Sequence, residues 1–229
     1  LSAFVLTSAG TDQAGGAASI LRLLRPRYFY DAAGVRRGDA YRAALMVART
    51  KGVIWHRPEP GDSLVVDEAT ITFLGPDSAW MSARGRASAG GLIVRVRVGD
   101  MRMLLVSEGD RQAMRWLLDH HPEMLAADVL KIGNQGVEAD TPPGLLAAVS
   151  PRVALLSVAP GDRYGRPGPA LMRRLAAAEV PVLRTDRQST VVLSTDGRSF
   201  RIEVDGDAWS VPAKPQPASL VPKAGQWPR

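Results

Sequence analysis

The chain contains no cysteine, which excludes a disulfide framework, a thiolate metal centre and a cysteine nucleophile. Histidine is nearly as scarce. There are three in 229 residues (His56, His120 and His121), too few for a histidine-rich metal centre. No run of five or six like charges occurs, so polyionic tails are excluded. No apolar stretch approaches the ~18 residues that span a bilayer, so no transmembrane segment is read in this chain. No signal peptide is visible, and no repeat of fixed period recurs.

What remains is the composition of a folded protein: 45% hydrophobic and 23% charged residues, which excludes wholesale disorder. The length fits one large domain or two small ones. A chain of this size buries roughly 70% of its unfolded surface, enough for a core without staples. The balance of 29 basic against 23 acidic residues gives +6. Arginine-rich usage that favours solubility accounts for this excess better than a phosphate-facing surface does. Leu1 stands almost at the first strand, as in a piece of a longer or processed product.

Apolar periodicity places strands at Ser2–Thr7 and Arg27–Tyr30, with helices at Gln13–Leu24 and Asp39–Thr50. Short strands follow at Val53–His56, Ser63–Val66 and Thr70–Leu74, then a polar loop over Pro76–Gly90. Leu92–Val98 begins apolar and then alternates with arginine, predicting a strand with one wet face along part of its length. Gly99-Asp100 is a two-residue turn signal, with Met101–Ser107 as the hairpin partner. Strand and helix then alternate: helix Arg111–His121, strand Asp128–Ile132, helix Pro142–Val149, strand Arg152–Val158, helix Pro169–Ala178, strand Val180–Arg184. A hairpin over Thr190–Ser194 and Ser199–Val204 ends the domain, taken as residues 1–207. Residues 208–229 hold five prolines and read as an extended tail or surface strap.

Four loops after strands are rich in glycine and small polar residues: Thr7–Gly16, Ser107–Asp110, Lys131–Gly136 and Ser157–Pro169. Alone, each is more often a tight turn than a ligand cradle. Their order carries more. Leu6–Gly16 reads LTSAGTDQAGG, Glu108–Asp110 reads EGD and Leu130–Val137 reads LKIGNQGV. Val149–Pro169 reads VSPRVALLSVAPGDRYGRPGP, and Val182–Ser189 reads VLRTDRQS. Together they resemble the metal-binding loops of the metallo-β-lactamase fold, in the branch found in ComEC-type DNA-internalisation proteins of bacterial competence. The resemblance covers about residues 2–204. It implies an α/β protein, an αββα sandwich with mixed sheets, lacking its first N-terminal strands. A sheet short of those strands exposes an edge, to be covered by the proline-rich tail or a partner.

The departures are concerted. In the resembling family the first loop carries two metal histidines, which fall here on Ser8 and Gly10. Asp12 is kept, but the histidine beside it is Gln13. The bridging aspartate is kept as Asp110. A His-His pair becomes Asn134 and Gln135, and two later histidines become Arg166 and Gly168. Glycine offers no ligand, and hydroxyls and amides are poor ones for zinc or manganese. Arg166 sets a permanent cation where a divalent ion would sit. A salt bridge from Arg166 to one of the two aspartates would take over the metal's electrostatic role. Asp12 and Asp110 each stand just before a helix, where they could cap orphan N–H groups.

No other residues supply a replacement centre. His120 and His121 end a helix, where the dipole favours them, and His56 reads as packing or surface. Ser8 and Ser107 have no evident triad partners. The expectation is therefore a domain with no catalytic residues, no metal and no cofactor. A weak hard-metal site at Asp12 and Asp110 is the one open alternative. The resemblance implies a catalytically inactive binding or scaffold subunit of a larger, membrane-associated assembly on the extracytoplasmic face of a bacterial membrane. Its partners would be proteins and single-stranded DNA. The alternative function is DNA binding, or residual metal-dependent phosphodiesterase activity, in a DNA-uptake protein. Arg95 and Arg97 read as part of a wet sheet face rather than a nucleic-acid surface.

Overall fold

A computed structural model describes residues 1–32, 38–75, 77, 91–108 and 111–214. The first strand, β1 (Ala3–Leu6), pairs in parallel with β2 (Tyr28–Asp31), which pairs in parallel with β3 (Ile54–His56). The connections carry three helices: α1 (Thr11–Ala14), α2 (Ala17–Leu24) and α3 (Asp39–Thr50). The single helix expected over Gln13–Leu24 is thus split at Gly15-Gly16, where two consecutive glycines weaken helix propagation. In α3 the buried residues are Tyr41, Ala44 and Ala48, the spacing of one helical face.

The large sheet has seven strands in the order β10-β9-β8-β7-β6-β5-β4. Strands β4 (Ser63–Val66), β5 (Ala69–Gly75), β6 (Ile93–Val98) and β7 (Met101–Val106) form an antiparallel meander. Then β8 (Val129–Ile132), β9 (Val153–Leu156) and β10 (Val182–Arg184) add in parallel. Parallel addition demands crossovers, and these hold α4 (Arg111–His120), α5 (Leu145–Val149) and α6 (Pro169–Ala177). A last short helix, α7 (Thr185–Gln188), leads into an antiparallel sheet of β11 (Val191–Thr195), β12 (Ser199–Val204) and β13 (Asp207–Pro212).

Side chains sort by strand parity into four layers. Leu21, Phe29, Tyr41 and Ala44 bind the first helices to the β1–β3 sheet. Phe29 is fully buried, and burying such a ring contributes about 2–3 kcal/mol. Phe73, Leu92 and Val94 fill the space between that sheet and the large one, with Val5 and Tyr30 packed against them. Met101, Val129, Val153 and Leu183 meet Phe200, Ile202 and Val204 of the terminal sheet. The opposite parity, including Ile93, Leu104, Leu130 and Ala154, packs on α4–α6. The architecture is helices, sheet, sheet, helices, as expected for an αββα sandwich.

Three features differ from the sequence reading. Strand β13 continues the terminal sheet past residue 207, where the tail was placed; its proline, Pro212, stands at the end of an outer strand, where no ladder bond is lost. Arg95 is only 9% exposed, so the wet face of β6 narrows to Arg97. Asp12 lies inside α1, whose N-cap is Gly10 without a side-chain cap; it does not cap the helix. Among the described residues β1 has a strand on one side only. The loop expected over Pro76–Gly90 and the tail beyond Lys214 lie outside the described residues, apart from Asp77. No helix among them is long and apolar enough to cross a membrane.

Candidate functional site

The loops that follow β1, β7, β8 and β9 meet at one end of the sandwich, where α/β sites gather. They enclose a cleft of about 460 Å³ whose lining includes Gln13, Glu108, Lys131, Asn134 and Gln135. The first loop is short because α1 starts at once. Gly10 accepts the N–H groups of Gln13 and Ala14, which turns the Gln13 side chain back towards β7.

There it bridges two acids. Gln13 Nε2 donates to Glu108 Oε1 at 2.5 Å and to Asp12 Oδ2 at 2.9 Å. Ser8 is buried; its Oγ donates to Glu108 Oε2 at 3.5 Å and accepts the Gly10 N–H at 3.4 Å, both at the long limit. Gln13 Oε1 is buried without a partner. A Cβ on Gly10 would lie 2.2 Å from that oxygen and 2.8 Å from Asp12 Oδ1. Glycine at 10 and glutamine at 13 are thus a matched pair.

The third loop is held by its backbone. A Cβ on Gly133 would sit 1.8 Å from the Ser107 carbonyl oxygen, so only glycine allows β8 to leave the sheet this close to β7. Asn134 and Gln135 follow with φ of +44° and +53°. This left-handed turn is sparsely populated by residues with a side chain. Asn134 Nδ2 donates to Asp140 Oδ2 at 2.6 Å, away from the first loop's acids.

Arg166 does not reach Asp12; it is paired with Asp162 of its own loop. Its Nη2 and Nε donate to Asp162 Oδ1 at 2.6 and 3.1 Å, and its backbone N–H to Oδ2 at 2.9 Å. The guanidinium also lies 4.9 Å from the Tyr164 ring centroid. These hydrogen bonds hold the Asp162 carboxyl down at about 2. The spacing of four residues inside one glycine-rich loop makes this local partner cheaper to reach than one across the cleft. Gly168 is the N-cap of α6 and donates to the Gly136 carbonyl at 2.9 Å. A Cβ there would lie 2.9 Å from Glu138 Cβ, leaving no room for a ligand side chain.

The structure therefore brings Ser8, Gly10, Asp12 and Gln13 together, with Asn134 and Gln135 on the same cleft. It holds Arg166 on Asp162 of its own loop and Gly168 against Gly136 and Glu138. Asp110 lies outside the described residues. Two residues missed in the sequence now stand at the centre. Glu108 receives Gln13 and Ser8, and its charge acts on Lys131 and Arg166. Lys131, half-buried on the floor, has its ammonium pushed down by burial, with Glu108 pulling the other way. Neither signal was local: Glu108 sits in a turn tripeptide, and Lys131 is one basic residue in a strand.

None of the three histidines lines the cleft. His56 stacks on Tyr30 at 5.4 Å, and His120 on Trp116 at 5.2 Å. Among the described residues no group of three or more His, Cys, Asp or Glu could hold a metal ion. The donors among the described residues do not fit a transition-metal centre. They offer carboxylates without an imidazole, and the carboxylates of Asp12 and Glu108 already receive the Gln13 amide.

No family model matches the chain. In sequence it is similar to ComE operon protein 3 of Bacillus subtilis (strain 168), 25% identical over 191 residues, 83% of this chain and 24% of that protein. The chain thus spans about a quarter of that relative's length. Among solved structures, a mutant of CmlA beta-hydroxylase aligns with TM-score 0.53 and 12% identity, over 80% of this chain and 43% of that one. The metallo-beta-lactamase fold protein YhfI from Bacillus subtilis aligns with TM-score 0.49 and 12% identity, over 92% of this chain and 78% of that one. The αββα layering is that expected for a metallo-β-lactamase-like fold, and the sequence likeness to ComE operon protein 3 extends over most of the chain.

Proposed function

We propose that this metallo-β-lactamase-like domain has lost metal-dependent hydrolysis and serves as a binding or scaffold module in a DNA-uptake assembly. One observation carries the reading: the Gln13 amide occupies the space between Asp12 and Glu108. An amide N–H placed there satisfies both carboxylates with no cation. Gly10 and Gly168, where the resembling family has histidines, have close neighbours in the space a larger side chain would need. The cleft has been repacked, and loss of one ligand alone would not require that. On this reading Ser8, Gly10, Asp12, Gln13, Asp110, Asn134, Gln135, Arg166 and Gly168 mark a former metal site. The domain then uses no cofactor.

The sequence likeness to ComE operon protein 3 supports placing the assembly at a bacterial membrane, with this domain on its extracytoplasmic face and protein neighbours around it. The test is cleavage. The purified chain is incubated with single-stranded and duplex DNA in Mn2+, Zn2+ or Mg2+. The expected result is no cleavage above the protein-free control. Metal-dependent cleavage abolished by Asp12→Ala would replace this reading with a residual phosphodiesterase.

A further inference from the structure

The face of the large sheet that packs on α4–α6 carries, at the end away from the cleft, a line of arginines. Arg97 on β6 stands directly opposite Arg102 on β7. The line continues onto the residues that enter β8 and β9: Asp128 donates its N–H to the Arg102 carbonyl, and Arg152 donates its N–H to the Asp128 carbonyl. Arg97 on β6, Arg102 on β7 and the residues just before β8 and β9, Asp128 and Arg152, thus stand at one level. At ~4.8 Å per interstrand step the row is about 14 Å long. Arg95 stands behind Arg97 on the same face of β6, opposite Thr72 of β5, and Arg97 is opposite Thr70.

Like charges placed opposite across a ladder repel, and at Arg102 the acids Asp128 and Asp100 offset part of that repulsion. Among the described residues none of the four arginines is in an ion pair. Asp128, the acid within the row, is 2% exposed. Its two oxygens accept the backbone N–H groups of Arg102 and Lys214. Asp100, in the exposed turn, also faces Arg102. Arg97 donates to the neutral carbonyl of Gly99 at 3.2 Å. Arg95 is more than nine-tenths buried; one nitrogen donates to the Met124 carbonyl, and its Nε has no partner. Nε of Arg152 is likewise buried and unpartnered. Buried donors are normally paired; these two guanidinium N–H groups beside the row are not.

We propose that this arginine row is a binding track for the phosphate backbone of single-stranded nucleic acid, with Arg97, Arg102 and Arg152 as its phosphate contacts and Arg95 supporting it from below. A linear set of fixed donors complements a chain of phosphates better than it complements one small anion. Thr70 and Thr72 add hydroxyls beside the arginines, as sugar-phosphate contacts commonly do. The choice of nucleic acid rests on the DNA-uptake reading above; the row itself does not, since it stands at the opposite end of β7, β8 and β9 from the cleft.

The test is fluorescence anisotropy with labelled oligothymidylate and the whole chain, over a series of salt concentrations. The wild type is compared with Arg97→Glu/Arg102→Glu, and with the single Arg97→Gln, whose exposed position spares the fold if the double variant does not fold. Expected are a loss of affinity of ~10-fold or more for the double variant and a salt slope lower by roughly 1–2, at ~0.7 per lost single-strand contact. The single variant should lose a smaller, measurable part. Unchanged affinity in a folded variant, or no binding by the wild type at low salt, would overturn the proposal. So would binding to phosphatidylserine vesicles without binding to DNA. Any of these leaves the cleft reading intact, because that reading is decided by metal and cleavage measurements.

Discussion

Gln13 Nε2 lies 2.5 Å from Glu108 Oε1, joining residues 95 positions apart. The bond ties the loop after β1 to the loop after β7. It places a neutral donor between acids of two sheets, and it depends on the absence of a side chain at Gly10.

That dependence predicts a non-additive pair. Gly10→Ala forces the Gln13 amide off Glu108 and should cost about 1–2 kcal/mol, the range for disturbing a hydrogen bond to a charged group. Gln13→Ala should cost a similar amount by leaving two carboxylates without their shared donor. The double variant should cost clearly less than the sum, because the clash and the bond vanish together. Urea unfolding of all four proteins measures this; strict additivity would separate the two positions.

Gly133 makes a harsher demand. Its would-be Cβ meets the backbone oxygen of Ser107 at 1.8 Å, and backbone in two adjacent strands has no cheap way to yield. Gly133→Ala should destabilise by at least about 3 kcal/mol, at or beyond the upper end for overpacking, or abolish soluble expression. A loss under about 1 kcal/mol in the same urea experiment would show that the two strands can part.

Asp162 gives a pH signature. Its carboxyl, held low by the Arg166 hydrogen bonds, titrates at about 2 in the folded chain, against ~3.9 for a free aspartate. A depressed folded value means the contribution is present above about pH 4 and is lost as pH falls towards about 2. An NMR titration of the Asp162 carboxyl carbon should show a midpoint near 2, moving up to the free value in Arg166→Gln. A wild-type midpoint near the free value would dissolve the pair.

Much of the scaffold was readable from local patterns. Gly99-Asp100 announced the β6–β7 hairpin, and apolar runs around Leu130 and Ala154 announced the parallel strands. Asp207–Pro212 was missed because strand β13 is mostly exposed, lacks a clear apolar alternation and ends in proline; its place follows from pairing with β12. The Gly15-Gly16 break was missed because the apolar spacing runs on through both sides of it. In the site, the positions of Ser8, Gly10, Gln13, Asn134 and Gln135 were legible from the motifs. Glu108 was not, since its partners Gln13 and Ser8 lie 95 and 100 positions away. The Arg166 pairing went to Asp162 because the chain turn offered a nearer acid than the cleft did.

The most direct test is metal content. The chain is equilibrated with excess Zn2+ or Mn2+, passed through a desalting column and analysed by inductively coupled plasma mass spectrometry. The account predicts far less than one ion per chain, unchanged by Gln13→Ala. One or two tightly retained ions per chain, lost on Asp12→Ala, would contradict it.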